Sequence, residues 1–365
     1  MKATIRRTVL AFTVSAACVP LAAASALPAG TAPATPCSVT TFARAGTLTR
    51  DKLKGKPGLV LSGGGFSQAP STQRILPWIR EHLQGAGRRG NLVVLKASGG
   101  RDYSADFFKN SALASIQEIL IPPCAAPADV DRVAEIVQRA DAVLFAGGDQ
   151  ANYVIWKGGK LIEAVRGVYA RGGVVGGGSA GLAIQGEVIF DSVADDRYSP
   201  DKDVASADAV KDPYERIISF TTGMFSWPAL RNTITDTHFV RRDRFGRTAA
   251  FMARIMQDRL TAGDRVYDVA VDEGEALLVD DRGVATLVRR DREDDGYVPR
   301  GAYFLQGGRP AKLFAGQPLQ YTVHVTHIAR AGQKYDLRHH RGSGTQYNVT
   351  VDGSAARMYS RDPYR

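Results

Sequence analysis

A glycine-rich turn around one serine limits most strongly what this chain can fold into. A short apolar run at 174–175 ends in three glycines, and Ser179 follows, with Ala180 and Gly181 after it. The stretch 177–181 fits G-x-S-x-G, in which a strand turns sharply into a helix and a serine hydroxyl projects from the turn. Glycines suit such a turn because its backbone is strained and crowded. The pattern predicts a nucleophilic serine, with a loop that binds phosphate or no ligand as the simpler alternative.

Apolar runs that end in glycine predict a parallel sheet around this serine. Strand-like runs lie at 58–62, 91–97 and 141–146, with a shorter one at 116–121, and helical periodicity lies between them, as at 129–140. Apolar strands that alternate with helices indicate an α/β sheet covered on both faces. Ligands of such sheets bind beyond the carboxyl ends of the strands. We therefore expect the glycine loops and the serine to share one edge of the sheet.

Composition divides the chain into four segments. Residues 1–26 combine a basic start, an apolar run and a small-residue cleavage site, which predicts an export signal and a secreted or periplasmic protein. The arginine pair at 6–7 leaves twin-arginine export open. Residues 27–55 are rich in Ala, Pro and Thr and predict a linker or N-terminal arm. The pattern of residues 56–290 predicts the α/β domain. Apolar and polar residues alternate within 291–365 as they do in strands, which predicts a small C-terminal β extension.

Net charge and cysteine content indicate which binding partners and which disulfide to expect. Removing the signal lowers the formal net charge from +10 to +7. The remaining surplus is scattered arginine, so we expect no nucleic-acid partner and favour an anionic substrate. No later apolar stretch approaches 18 residues, so no membrane anchor is expected. Cys37 and Cys124 remain after the signal, and in an exported protein they predict one disulfide.

His238 is the histidine best placed to serve as a base for Ser179. A serine nucleophile needs a base and a third group that orients this base. His238 follows the strand-like run 232–235 within the α/β part, where the edge of the sheet should lie. His82 lies in an early helix, and the other four histidines lie in the C-terminal extension. The position in the topology therefore favours His238.

The sequence offers carboxylates from two regions as the acid that orients His238. Glu273 directly follows a predicted strand and should face the same edge of the sheet. Asp191, Asp195 and Asp196 lie on a polar segment that shows no helix or strand pattern, and we expect this segment to be a flap beside the site. We favour Glu273 and keep the aspartates as rivals.

Four arginines crowd the turn and the helix start that follow His238. Arg242, Arg244 and Arg247 are expected to hold substrate carboxylates by paired hydrogen bonds. Arg241 is instead assigned to a solvated helix face. No histidine pair in the α/β part has metal-ligand spacing, so neither a metal nor another cofactor is expected.

Four motifs in order resemble the cyanophycinase/aspartyl dipeptidase family of serine peptidases, peptidase family S51. They are Ala146–Gln150, Gly176–Gly181, Asp236–Arg247 and Val271–Gly274, and the resemblance covers about residues 56–285. It implies a flavodoxin-like three-layer sandwich with a mainly parallel sheet and a nucleophile elbow, akin to the class I glutamine amidotransferases. It also implies a homodimer.

The resemblance gives roles to individual residues. It implies Ser179 as the nucleophile, His238 as the base and Glu273 as the third member, although the dipeptidases place an aspartate soon after the serine. The residues that align with those cyanophycinases use around the site are Gln150, Asp236, Arg242, Arg244 and Arg247. The backbone N–H groups of Gly148 and Ala180 are predicted to form the oxyanion hole, where a helix start would stabilise negative charge.

Two departures from the family pattern leave the substrate open. Gly178 stands where the family usually has Thr, and Thr237 stands where it usually has Gln. The implied function is a secreted serine exopeptidase whose partner is a peptide or polymer rich in aspartate. Its substrate would be cyanophycin (multi-L-arginyl-poly-L-aspartate), cut to β-Asp-Arg dipeptides, or related aspartyl peptides. The alternatives are an α/β-hydrolase esterase, with Gly63–Gly65 as oxyanion loop and a histidine from 324–340, or a binding protein that has lost turnover.

Overall fold

The computed structural model describes most of the chain from residue 37 onward. The described residues are 37–49, 55–65, 69–84, 90–100, 108–109, 111, 113–191, 193, 203–289, 296–310 and 312–365. The predicted export signal lies outside these residues, as does much of the predicted linker. Within the described ranges, no helix is both long and apolar enough to cross a bilayer.

Strands and helices alternate through the first half of the chain, and strands dominate the second. The strands are β1 Thr40–Thr41, β2 Ala45–Gly46, β3 Gly58–Ser62, β4 Asn91–Lys96, β5 Ser115–Leu120, β6 Ala142–Phe145, β7 Val174–Gly178, β8 Val188–Phe190, β9 Phe220–Thr222, β10 Thr233–Asp236, β11 Val266–Val271, β12 Glu275–Val279, β13 Val284–Arg289, β14 Ala302–Gly307, β15 Gln320–Ile328, β16 Lys334–Asp336, β17 Arg341–Gly342 and β18 Thr345–Asp352. The helices are α1 Ala69–Gln84, α2 Pro127–Val137, α3 Ala151–Val154, α4 Lys160–Ala170, α5 Ala180–Ala183, α6 Ser206–Lys211 and α7 Phe245–Gln257, with a 3₁₀ turn at Pro228–Leu230.

The larger sheet contains the parallel core that the sequence predicts. Its central strands run in the order β5-β4-β6-β7-β3, and all four neighbouring pairs are parallel. The run β5-β4-β6-β7 has the 2-1-3-4 order of flavodoxin-like sheets, and β3 takes the next position. Side chains alternate between the two faces: Val60 packs in one apolar cluster with α1, whereas Leu59 and Leu61 pack in another with α2 and α4. The result is a three-layer α/β sandwich.

The smaller sheet joins the α/β part to the C-terminal region. Its order is β18-β15-β14-β11-β10-β8-β9, and β8, β10 and β11 are parallel. β14, β15 and β18 continue this sheet from β11 by antiparallel pairing, while β16 and β17 continue the larger sheet from β13. The predicted C-terminal β extension is therefore built into both sheets. Its strands occupy edges where β11 and β13 would otherwise expose unpaired backbone groups.

The polar segment from Asp191 to Asp212, which is the expected flap, contains a helix that its sequence pattern does not predict. No helix was expected there, yet α6 lies at Ser206–Lys211, with Ala209 and Val210 buried in one apolar cluster with α7. A helix of this length has little stability of its own and depends on tertiary packing. Sequence periodicity cannot show such packing over six residues.

The predicted disulfide between Cys37 and Cys124 is present. The two sulfurs are bonded, and the Cα atoms lie 5.2 Å apart. The short strands β1 and β2 that follow Cys37 pair with β5, which ends four residues before Cys124. The disulfide and these pairings tie the N-terminal arm to the edge of the larger sheet.

Replacing both Cys37 and Cys124 by serine should lower the free energy of unfolding. The bond closes a loop with a sequence separation of 87 residues, and losing such a bond frees the unfolded chain and costs about 2–4 kcal/mol. Urea unfolding of the wild type and the double variant, each with and without dithiothreitol, measures the difference. The reductant should shift only the wild type. Equal unfolding midpoints in all four samples would contradict the prediction.

Candidate active site

Ser179 lies in a strained turn between β7 and α5. Its backbone has φ 54° and ψ −120°, a conformation that costs on the order of 1–3 kcal/mol and persists only when its surroundings hold it. The N–H of Ser179 donates to the Ser62 carbonyl at the end of β3 (3.1 Å). A side chain at Gly177 or Gly181 would overlap the carbonyl oxygen of Phe145. The glycines of the G-x-S-x-G pattern are therefore required by close backbone approach.

The imidazole of His238 lies against the hydroxyl of Ser179. Ser179 Oγ and His238 Nε2 are 2.8 Å apart, across 59 positions of sequence. His238 follows β10 with φ 46°, and its backbone N–H donates to the Gly63 carbonyl (2.8 Å). A Cβ atom at Gly64 would overlap the imidazole ring. The glycine loop after β3 thus provides the space in which the imidazole lies.

Glu273 is the acid that contacts His238. Its Oε2 lies 2.5 Å from His238 Nδ1, and its Oε1 accepts a hydrogen bond from Arg241 Nη1 (2.9 Å). This network places the imidazole proton on Nδ1 and leaves Nε2 free to accept the serine proton. The structure therefore brings Ser179, His238 and Glu273 into one hydrogen-bonded chain.

Among the rival aspartates, Asp191 has other partners than His238 in the described contacts. Asp191 accepts hydrogen bonds from the hydroxyls of Ser219 and Thr221, at and beside β9. Asp195 and Asp196 lie outside the described residues. The geometry accordingly favours Glu273 as the orienting acid.

Burial and neighbouring charge set the protonation of the base. Burial lowers the pKa of His238, the hydrogen bond to Glu273 opposes this effect, and the charges of Arg242 and Arg244 lower it further. The hydrogen bond to His238 lowers the pKa of Glu273. A neutral imidazole beside an ionised carboxylate is the state that a general base requires near pH 7.

The predicted oxyanion residues lie beside the serine. Gly148 and Ala180 line a cavity of about 580 Å³ that Ser179 and His238 also line. A Cβ atom placed on Gly147 would lie 3.9 Å from Ser179 Oγ, so the loop before α3 approaches the hydroxyl closely. Ala180 opens α5 directly after the nucleophile, the position whose N–H serves an oxyanion in nucleophile elbows.

The polar residues predicted to bind substrate line the same cavity. They are Gln150, Asp236, Arg242, Arg244 and Arg247. Gln150 donates from Nε2 to the carbonyl of Phe190 (3.2 Å). Among the described residues, no group of three or more His, Cys, Asp or Glu side chains could hold a metal ion.

Two of the three predicted substrate arginines are already paired with carboxylates of the chain. Arg247 Nε donates to Asp236 Oδ2 (2.9 Å), and Arg244 Nη1 donates to the Thr237 carbonyl (2.9 Å). Both buried guanidinium groups also bind Asp203. Burial opposes ionisation of Asp203, but Arg247 and Arg244 outweigh it and lower its pKa to about 2.

Arg242 differs from this buried pair. Its side chain is 50% exposed, and its Nη1 lies 3.9 Å from Asp203 Oδ2. A partly exposed guanidinium can exchange solvent for a ligand carboxylate more easily than a buried one that is already hydrogen-bonded. The structure thus leaves Arg242 as the cluster's most accessible cation among the residues it describes.

Sequence reasoning missed two residues of this site. Asp203 lies within the polar segment from Asp191 to Asp212 that is expected to be a flap, and its sequence context gives it no role there, although buried arginines on a nearby helix require carboxylate partners somewhere in the chain. Arg241 is exposed, as predicted, but it lies in the turn before α7 rather than on a helix face. Its guanidinium binds Glu273, and its Cζ lies 5.0 Å from the centre of the Tyr297 ring. No local pattern marks this contact, because Tyr297 lies more than fifty positions away.

Comparison with known proteins identifies a family. A family model described as peptidase family S51 matches residues 59–287. No curated protein matches the chain. Two similar solved structures are a peptidase from an acI-B1 Actinobacterium (16% identity, 66% of this chain and 89% of that one, TM-score 0.43) and a "Putative Peptidase E Protein" from Listeria monocytogenes EGD-e (14% identity, 64% and 98%, TM-score 0.38).

Replacing Asp203 by asparagine should destabilise the protein most near neutral pH. An unfolded aspartate has a pKa of about 3.9, and the folded value is about 2. The contribution of Asp203 is therefore complete above the unfolded pKa and is lost as the pH falls towards 2. Thermal unfolding from pH 7 to pH 2 measures the difference in unfolding temperature between the wild type and the variant. This difference should become smaller on acidification. Asp208→Asn, at an exposed acid on α6, is the control, and a pH-independent gap for Asp203→Asn would refute the prediction.

Proposed function

Since the chain belongs to peptidase family S51 and is thereby a serine peptidase, we propose that Ser179, His238 and Glu273 are its catalytic residues. The observation that best supports this proposal is the continuous hydrogen-bonded chain from Ser179 Oγ through both imidazole nitrogens to Glu273 Oε2. A base within hydrogen-bond reach of the nucleophile, itself oriented by an acid, is the arrangement that acyl transfer requires.

The geometry supports a two-step hydrolysis. Ser179 Oγ attacks the scissile carbonyl carbon while His238 Nε2 takes the hydroxyl proton. His238 then gives this proton to the departing amine, and the acyl group remains on Ser179. Water attacks the acyl-enzyme with His238 again as base, which releases the carboxylic acid and restores the serine. Glu273 stabilises the imidazolium in both steps, and the N–H groups of Gly148 and Ala180 face the oxyanion.

We propose aspartyl and β-aspartyl peptides as substrates, with cyanophycin as the polymeric candidate. Arg242 supports this choice, because its partly exposed guanidinium lines the cavity with Ser179 and suits an aspartate carboxylate. Asp149 lines the same cavity and offers negative charge to a cationic substituent such as arginine. A β-Asp-Arg unit carries both kinds of group.

Action outside the cytoplasm is also part of the proposal. The Cys37–Cys124 disulfide supports it, because such bonds persist mainly in oxidising compartments. The predicted export signal at 1–26 is consistent with this location. A secreted hydrolase of this kind would degrade polymer released from other cells.

The esterase alternative required a histidine from the C-terminal region at Ser179. The four histidines there have other neighbours: His324 contacts Asn348, His327 contacts the Arg300 carbonyl, His339 contacts Asp336, and His340 stacks on Tyr267. Within the loop Gly63–Gly65, Gly64 lies against the ring of His238. These contacts favour the peptidase.

Replacing Ser179 by alanine should abolish both peptide hydrolysis and labelling by a serine-directed fluorophosphonate. The assay offers insoluble cyanophycin and a panel of Asp-X and β-Asp-X dipeptides to the wild type and the variant. Ser98→Ala is the matched control, because Ser98 lines the same cavity without touching the imidazole in any described contact. A wild type that neither turns over any substrate nor takes the label would refute the peptidase proposal in favour of a binding protein.

Replacing Glu273 by glutamine should lower kcat by about three to four orders of magnitude, because the wrong imidazole tautomer is then favoured. Asp191→Asn should keep most activity, since Asp191 binds hydroxyls at β9 rather than His238. Steady-state kinetics on the best dipeptide compares the two variants. The opposite ranking would identify Asp191 as the orienting acid.

A further inference from the structure

We propose that Arg241 is a positioning residue that fixes the Glu273 carboxylate against His238 and limits how strongly this carboxylate favours the imidazolium form. We further propose that residues beyond the family-matched region hold Arg241 in place. This inference rests on the proposed catalytic role of Ser179, His238 and Glu273. It adds a fourth member to that chain and gives the C-terminal region a part in catalysis.

The Glu273 carboxylate is held on both oxygens. Oε2 contacts His238 Nδ1 at 2.5 Å, and Oε1 accepts from Arg241 Nη1 at 2.9 Å. The side chains of Arg241 and Glu273 are 30% and 18% exposed, so solvent screens this pair only in part. A carboxylate fixed at two points keeps one orientation towards the imidazole, whereas one fixed at a single point can rotate away.

The backbone of Arg241 is fixed by the buried carboxylate of Asp272. Asp272 Oδ1 accepts from the N–H groups of Val240 (3.1 Å) and Arg241 (3.2 Å), directly after the left-handed residue His238. Asp272 has no exposed surface and precedes Glu273 in the chain. One buried carboxylate therefore couples the turn that carries the base to the turn that carries the acid.

Residues beyond the match to the family model complete this arrangement. Tyr297 OH donates to Asp272 Oδ2 at 2.6 Å, and the Arg300 N–H donates to the same oxygen at 2.9 Å. The Tyr297 ring also lies beneath the Arg241 guanidinium, 5.0 Å from its Cζ. Such a cation–π contact adds orientation to the charge of the arginine. The family match ends at residue 287, so the C-terminal region supplies both contacts.

The charges around the imidazole define what Arg241 does. The groups that face His238 are Glu273 from the turn after β11, and Arg242 and Arg244 from the segment between β10 and α7. Arg241 and Arg242 face Glu273 in turn. With Arg241 in place, the guanidinium partly offsets the carboxylate charge that favours imidazolium. Without it, that charge acts on His238 less opposed, and the pKa of His238 rises.

The test compares Arg241→Met with Arg241→Lys and Tyr297→Phe. The rate of fluorophosphonate labelling of Ser179 is measured from pH 4 to pH 9, and histidine NMR gives the pKa of His238. The acid limb is the part of this pH profile in which the labelling rate rises with pH. Arg241→Met should move the midpoint of the acid limb and the His238 pKa upward by about 0.5–1 pH unit. Arg241→Lys keeps the charge and should leave the limb near that of wild type. Tyr297→Phe keeps the ring but loses the hydroxyl, and should lower the plateau rate with the limb unmoved.

The result that overturns the inference is a lower plateau for Arg241→Met with the acid limb and the His238 pKa unchanged, or both moved downward. Near-ultraviolet circular dichroism checks that each variant is folded, and Arg241→Gln replaces Arg241→Met if the latter is not. Absence of labelling in the wild type would defeat the proposed function, yet the NMR titration would still decide the inference. A raised His238 pKa in the methionine variant shows the electrostatic effect of Arg241 on His238 in either case, whereas a part in catalysis also requires labelling of the wild type.

Discussion

Three successive carbonyl groups at the end of β3 hold the whole catalytic arrangement together. The carbonyls of Ser62, Gly63 and Gly64 accept from the N–H groups of Ser179, His238 and Gly274, in that order. Gly274 follows Glu273, so one backbone segment sets the positions of the proposed nucleophile, base and acid. Backbone groups buried at such a junction must find partners, and here the partners fix the catalytic turns. A side chain at Gly63 would meet the carbonyl of Asp272, and one at Gly64 would meet the imidazole.

The sequence predicted most of this arrangement because short-range patterns encode it. Runs that end in glycine located the parallel strands, and the topology of such sheets placed Ser179 and His238 at one edge. Glu273 followed from its position after β11. The contact of Arg241 could not be found this way, because it depends on Tyr297, which lies more than fifty positions away in the sequence. The sequence pattern predicts that an arginine near a helix start is solvated. Only the fold shows which carboxylate it binds.

The arginine cluster shows how far charge counting can mislead. A run of arginines after the base suggests an anion site, but Arg244 and Arg247 are buried, and buried cations without carboxylates are unstable. Asp236 and Asp203 neutralise them within the chain. Their task is therefore first to hold the wall of the cavity, through Asp236 on β10 and Asp203 before α6. The proposed recognition of a substrate carboxylate then rests chiefly on Arg242, at the exposed side of the cluster.

The C-terminal region supports this same wall at a second point. Asp243 adopts φ 46° directly before Arg244, and its carboxylate accepts from Tyr364 OH (2.7 Å), while the same hydroxyl accepts from the N–H of Phe245 (3.0 Å). Tyr297 and Tyr364 thus hold the two ends of one loop, which begins at His238 and ends at α7. Left-handed residues other than glycine are costly and persist only where neighbours fix them. Because both tyrosines lie outside the family-matched region, the C-terminal region does more than cover sheet edges: its residues fix the loop that carries His238 and the arginines.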